Sequence, residues 1–316
     1  MTLRLLQRLA ILVASLVVSS VIVFAFMAVL PGDPARVALG VNASDAAVAE
    51  MRSEFGLDRS PVAQYLSWVR GLVTLDPGSS YVSGTAIGPQ LADRLQVTLW
   101  LVVTAMVVAL VVAIPVGTVM AVRHRQVSGL ALSAVSQLGV AIPAFLAGIL
   151  LITVFAVKLG WLPANGWTPP ADDPAMFLKQ LVLPVASLGL VQAAVLTRYV
   201  RSAVLDVLRE DYLRTARAKG LPPMRALVRH GLRNAAVPVV TVLGLQLATL
   251  LIGAVVVERV FVIPGLGSLL LDSVSQRDLI MVQDVVMILV MAVLVVNFVV
   301  DLLYVLIDPR LRVSAR

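Results

Sequence analysis

Cysteine is absent from the 316 residues and histidine occurs only twice, so disulfides, thiolate metal sites and a histidine-rich metal centre are excluded. Only 14% of the residues are charged, against 59% hydrophobic, a balance foreign to soluble domains. No G-x-x-x-x-G-K-[ST] loop occurs, so the chain lacks that route to ATP. H-E-x-x-H, G-x-S-x-G and a plausible pair of catalytic carboxylates are missing too. Gly265-Leu266-Gly267-Ser268 is glycine-rich, but it lacks a third glycine and a preceding βαβ unit, and reads as a turn. Internal repeats and low-complexity tracts are absent. What remains is a membrane component rather than a catalyst, with no cofactor or metal expected in this chain.

Six apolar runs are long enough to cross a hydrocarbon core about 30 Å thick. They cover residues 9–30, 98–122, 130–157, 181–197, 237–257 and 285–306. The first is too long for the core of a secretory signal and has no cleavage site behind it, so it reads as a retained span. Charges alternate between the runs. Arg4 with Arg8, Arg123 with Arg125, and the tail after Leu306 each carry an excess of +2, while residues 31–97 hold five basic against seven acidic residues. Residues 158–180 are balanced, and the stretch from Glu258 to Asp284 is net negative. Lys and Arg resist translocation, so this alternation predicts both termini on the cytoplasmic side. The expected organisation is a first span with an extracytoplasmic segment over residues 1–97, followed by a five-helix core over 98–316. Within 31–97, Ser44 and Ser60-Pro61 are helix-start signals, predicting helices over 45–55 and 61–69.

The most basic stretch is the loop 198–238, where nine Lys and Arg face three acids, a balance of +6 out of the chain's +7. That accounts for the isoelectric point near 10.3 without invoking nucleic acid, because aromatic residues are not interleaved with the charge. Val204, Leu205, Leu208, Tyr212, Leu213 and Ala216 recur at helical steps, and Gly220 with Pro222 and Pro223 ends the pattern. A short amphipathic helix held in the cytoplasm is expected here. On charge alone, the loop could equally be a topology determinant or a patch for anionic lipid.

Polar groups inside the runs admit two readings. Asn297 and Asp301 share one face of the sixth run, with Tyr304 a turn further on. A carboxylate at this depth must face protein or water, as part of a pathway or, as its place near the inner end favours, as an interhelical contact. Ser136, Gln137 and Gln192 fit helix packing better than a solute path; for Gln246, flanked by Gly244 and Gly253, the two readings stand level. Pro143 and Pro184 predict kinks or breaks of structural origin.

Asp211-Tyr-Leu-Arg-Thr-Ala-Arg-Ala-Lys-Gly220, followed by His230-Gly-Leu-Arg-Asn-Ala-Ala-Val-Pro238, resembles the EAA loop of ABC-importer permeases, in the version of the dipeptide/oligopeptide/nickel group and its B-type subunit. The resemblance runs through nearly the whole chain. It takes in Pro31-Gly32-Asp33-Pro34, Phe55-Gly56-Leu57-Asp58, Gln64-Tyr65, Arg94-Leu95 before Thr98-Leu99, and Trp161-Leu162-Pro163. It continues through Glu258-Arg259-Val260-Phe261, Pro264-Gly265-Leu266-Gly267, Arg277-Asp278, Asn297 with Asp301, and Asp308-Pro309-Arg310. Two departures stand out. Arg214-Thr215-Ala216 replaces Glu-Ala-Ala, and Leu75-Asp76-Pro77-Gly78 replaces Gly-Asp-Leu-Gly.

The resemblance implies an all-α type I importer permease in a bacterial inner membrane. Its partners would be a second, C-type permease, ABC ATPase subunits that bind ATP and Mg, and an extracytoplasmic substrate-binding protein. Asp211, Tyr212, Arg214, Thr215, Ala216, Arg217, Ala218, Lys219 and Gly220 would dock on the ATPase, and peptides would be the expected cargo, with nickel or another solute of the group as the alternative. A rival from the residues themselves is an ion-coupled secondary transporter using Asp301, which should show inverted repeats; the sequence shows none.

Overall fold

The computed structural model describes residues 2–30, 32–40 and 42–307, with side chains between residues 5 and 302. Pro31, the Tyr304 side chain and Asp308-Pro309-Arg310 lie outside the described residues. The helices are α1 (Thr2–Val29), α2 (Pro34–Leu39), α3 (Asp45–Glu54), α4 (Pro61–Thr74), α5 (Ile87–Val122), α6 (Val127–Ala141), α7 (Ala144–Leu151), α8 (Pro174–Leu208), α9 (Asp211–Ala218), α10 (Pro223–Ala226), α11 (Leu232–Val260), α12 (Leu266–Gln276) and α13 (Leu279–Ile307). Two π-helical turns extend them: Ile152–Lys158 continues α7, and Leu227–Gly231 joins α10 to α11. Among the described residues there is no strand, only one bridge between Ser79 and Ala86.

Five helices are long and apolar enough to cross a membrane, and six if the bent pair Val127–Ala141 and Ala144–Lys158 forms one span. Several spans outrun their hydrophobic cores. The 36 residues of α5 reach about 54 Å at 1.5 Å per residue, well beyond the hydrocarbon thickness. Apolar content marks the membrane-crossing part of a helix, not its ends. Proline acts unevenly. Pro184 sits inside an unbroken α8, whereas the chain turns by 97° at Pro143. The difference is local: Ile142 is extended before Pro143, as the residue preceding a proline prefers, and the bend follows.

The chain folds into two packing units. Among the described residues, the first comprises 99–263 and 296–307. Its centre is α8, which packs against α6, α7 and α11 and buries sixteen residues, from Phe177 through Leu196 to Val207. Lipid tails supply no hydrophobic drive between such helices, so close backbone approach must supply the attraction. Glycines provide it. A Cβ on Gly117 of α5 would lie 2.7 Å from Val200 Cβ and 2.8 Å from the Thr197 carbonyl, and one on Gly189 would lie 3.0 Å from the Ala105 carbonyl. Likewise Gly148 accommodates the ring of Phe261, which is almost wholly buried.

The second unit comprises residues 2–98 and 264–295, so its helices come from both ends of the chain rather than from one cut near residue 97. Ser44 and Ser60 cap α3 and α4 by accepting the amides of Ala47 and Ala63, as their sequence signals predict, although α4 runs on to Thr74. Ile87, Leu91, Leu266, Leu269, Met281 and Val285 form its core. Gly265-Leu266-Gly267-Ser268 is not merely a turn: Gly265 caps α12, and the Leu266 amide donates to Thr98 Oγ1 at 2.8 Å. Two acids are buried nearby. Asp278 accepts the Ser80 hydroxyl proton, and Asp284 Oδ1 accepts the Trp68 indole N–H at 2.7 Å, while Asp284 Oδ2 has no partner. Burial first, and then the charges of Asp284 and Asp278, push the Tyr81 phenol above its ordinary 10.0. Asp284, placed in a loop by charge counting, stands in the second turn of α13.

Two outcomes follow from this packing. Gly117→Ala should lower stability by about 1–3 kcal/mol through overpacking, read as a lower unfolding midpoint in detergent; an unchanged midpoint would mean that α5 and α8 do not approach this closely. Trp68→Phe should cost about 1–3 kcal/mol by stripping a buried carboxylate of its donor, and adding Asp284→Leu should recover much of it. Additive losses in that double-mutant cycle would dissolve the pair.

Candidate functional site

The basic loop is not one amphipathic helix. Val204, Leu205 and Leu208 belong to the end of α8, the chain turns at Arg209 and Glu210, and α9 then starts afresh at Asp211. The periodicity carried across the break because α9 buries Leu213 and Ala216 at the same spacing. Both face inward, and Leu213 meets Val207 and Leu227 around Gly231, where an added Cβ would lie 2.7 Å from Leu227 Cδ1 and 3.0 Å from Val207 Cγ1. The other face is exposed. Asp211, Tyr212, Arg214, Thr215, Arg217 and Ala218 all reach solvent, and Lys219 follows them.

The end of α9 is closed by backbone chemistry. The Leu221 amide donates to the Ala216 carbonyl at 3.2 Å, and the Gly220 amide donates to Arg217 at 3.0 Å, with Gly220 at φ +91°. This is the glycine-terminated helix stop in which a left-handed residue lets the last carbonyls find donors. Nothing lies within 4 Å of a Cβ built at Gly220, so the backbone angle, not space, demands glycine. At the other end, the Thr215 hydroxyl donates to the Asp211 carbonyl at 3.0 Å, and Arg214 reaches the Asp211 carboxylate at 3.5 Å. That exposed pair contributes little.

Two residues escaped the sequence reading of this site. Asn234 Nδ2 donates to the Tyr212 hydroxyl at 2.9 Å, tying α9 to the first turn of α11. Gly231 makes room for the apolar side of α9. Both lie within the 230–238 motif, but nothing in spacing alone says that one asparagine reaches back 22 residues.

The polar residues of the spans separate into groups. Gln192 Nε2 donates to Gln246 Oε1 at 2.6 Å, and both side chains are buried, so these two amides join α8 to α11. Ser136 donates to the Ala194 carbonyl at 2.9 Å, joining α6 to α8. Gln137, by contrast, is exposed and lines a cavity with Ser133, Arg198 and Arg201. Asn297 lies against Gly244, whose missing side chain leaves room for its carbonyl oxygen. Asp301, a turn further along α13, is half-buried. Thus the amides that looked alike in sequence divide into helix-to-helix fasteners and a cavity wall, and Asn297 and Asp301 are not brought together with Gln137. No group of three or more potential metal ligands occurs among the described residues.

Comparison with known proteins gives the architecture a family. Residues 113–313 match the binding-protein-dependent transport system inner membrane component, and residues 1–102 match the N-terminal component of the same transport systems. The glutathione transport system permease protein GsiC of Escherichia coli K12 is 42% identical over 307 residues, covering 97% of both chains. The protein of that name from Shigella dysenteriae is 42% identical over 307 residues, 97% of each chain, and that of Salmonella paratyphi A is 41% identical over 308 residues, 97% of this chain and 98% of the other. With an all-helical fold carrying five to six candidate spans, the chain belongs to the inner membrane components of binding-protein-dependent transport systems: it is a multi-pass ABC-importer permease subunit of the peptide group, and not itself an enzyme.

Proposed function

We propose that this permease carries small peptides inward and that α9 is the element through which a partner ATPase drives it. The observation that carries this reading is the construction of α9: an eight-residue helix stopped at both ends, anchored on Leu213 and Ala216, with its outer face exposed and cationic. A rigid, short helix with arginines outward suits insertion into an acidic groove on another protein. Such a contact would move as a body, which a floppy loop could not do. The Tyr212–Asn234 bond then passes that movement to α11, and Gln192–Gln246 passes it from α11 to α8. Alternating access needs two states on which nucleotide and loaded binding protein act differently, and this chain of contacts offers a physical link between them.

The remaining assignments are of the same kind. The excess of Lys and Arg around α9 supports a cytoplasmic loop, with both termini on that side. A second permease subunit would complete the pathway, because five or six spans of one chain leave apolar faces on α1 and α11 exposed. The relatives are named for glutathione transport, which supports a short peptide as cargo but leaves the choice of peptide open. Binding-protein-dependent systems place that choice largely in the separate binding protein.

Gly220→Pro should abolish uptake while membrane insertion persists, since proline holds φ near −65° and has no amide for the Arg217 carbonyl. Gly220→Asn, which tolerates the left-handed region, should retain most uptake. Wild-type transport by the proline variant would defeat coupling through this loop. Asn234→Ala should leave nucleotide hydrolysis by the assembled complex in place but lower the peptide moved per ATP; equal losses in both, or in neither, would remove the Tyr212 bond from the transmission.

A further inference from the structure

A cavity of about 350 Å³ opens between α5, α6 and α8, lined by Met120, Ser133, Gln137, Arg198, Tyr199, Arg201 and Ser202. We propose that it is a binding site for the phosphate of an anionic phospholipid from the leaflet on the α9 side of the membrane.

The chemistry of the wall is one-sided. Arg198 and Arg201 are three residues apart on α8, hence neighbours on one face, and no acidic residue lines the cavity among the described residues. Two guanidinium groups held together repel each other unless an anion lies between them. Arg201 makes the need sharper, because its Nε is buried with no hydrogen-bond partner. A buried donor left unpaired is costly, and guanidinium favours phosphate, whose oxygens accept from several N–H groups at once. The neutral residues complete the set. The Ser133 hydroxyl donates to the Gly129 carbonyl at 2.9 Å, leaving its oxygen free to accept, while the Gln137 amide and the Ser202 and Tyr199 hydroxyls remain exposed as donors.

Phospholipid, rather than a free anion, is favoured by what borders the cavity. Leu130, Val135 and Leu138 of α6 are all strongly exposed, so apolar surface for acyl chains lies on the helix that supplies Ser133 and Gln137. The depth agrees. Arg198 and Arg201 stand seven to ten residues before the end of α8 at Leu208, about 10–15 Å along the axis, within reach of the headgroup boundary on the basic side. Basic pockets between spans on that side are suited to lipid headgroups. The proposal shares only this orientation with the reading of α9, and would survive the failure of the coupling role.

The test uses the assembled transporter, purified in mild detergent, stripped of lipid, and equilibrated with phosphatidylglycerol, phosphatidylethanolamine or inorganic phosphate. Retained lipid is counted by native mass spectrometry. Phosphatidylglycerol should be kept in preference to phosphatidylethanolamine, and Arg198→Gln with Arg201→Gln should lower its retention by about tenfold or more. Gln137→Glu, which leaves both arginines but adds a carboxylate, should do the same. Arg229→Gln with Arg233→Gln, an equal charge change on exposed positions outside the cavity, should not. Equal retention in the first variant and in Gln137→Glu overturns the proposal, as does an equal loss in the control pair. Full displacement of the lipid by millimolar inorganic phosphate would assign the cavity to a free anion and overturn the phospholipid reading. If the arginine variant keeps its lipid but sheds a partner subunit, the cavity is a protein contact and the proposal fails.

Discussion

Everything in the larger packing unit depends on how closely helices can approach α8. In water its buried apolar side chains would be driven together by loss of apolar hydration, but in a bilayer that drive is missing. Contact at short range must replace it, and contact at short range needs backbone beside backbone. Gly117 and Gly189 set α5 against α8 from two heights, Gly139 brings α6 near Ala194, and Gly253 leaves room for Leu188. With the backbones this near, Ser136 can reach a carbonyl on α8, and Gln192 and Gln246 can reach each other. Polar bonds between spans are thus products of close packing rather than its cause. Lengthening any of these glycines by one carbon would separate the helices and the bonds together.

The smaller unit is held in a different manner. Its fixed points are polar and lie where helices begin or end. Thr98 receives the first amide of α12, Asp278 closes the turn between α12 and α13, and Trp68 reaches Asp284 from α4. Arg277 caps α12 in the left-handed region, unusual for a branched cation, and the Asp278 amide returns to the Ser273 carbonyl at 2.9 Å. Arg277-Asp278, read in the sequence only as part of a resemblance, is a corner: one residue reverses the chain and the next begins α13.

Much of the fold was legible because bilayers impose simple rules. Long apolar runs located the candidate spans, and Ser44 and Ser60 located two short helices between the first and second. The ends of spans were not legible. Residues 87–97 and 198–208 carry charges and lie outside the apolar runs, yet they continue α5 and α8, because helix persists beyond the hydrocarbon where it can be solvated. The break at Arg209 and Glu210 was hidden by apolar residues keeping one period on both sides of it. Within the site, Gly220 was identified from its place after a helical pattern, and its positive φ is the physical reason. The roles of Gln192, Gln246 and Gln137 could not be told apart from sequence, since each is an amide in an apolar run. Only the neighbours across the helix decide, and those lie 54 residues apart for the bonded pair.

The bend at Pro143 has a consequence for the chain's surroundings. The fifteen residues of α6 climb about 22 Å, short of the full hydrocarbon depth, so a span that enters the membrane with α6 makes its 97° turn before it reaches the far side. Ala141, Ile142 and Pro143 are exposed there, and proline offers no amide to the preceding turn. Interrupting a helix frees peptide carbonyls, and hydrocarbon can hydrate none of them. This corner is therefore a place where fatty acyl chains are unwelcome: water or another polypeptide must solvate it.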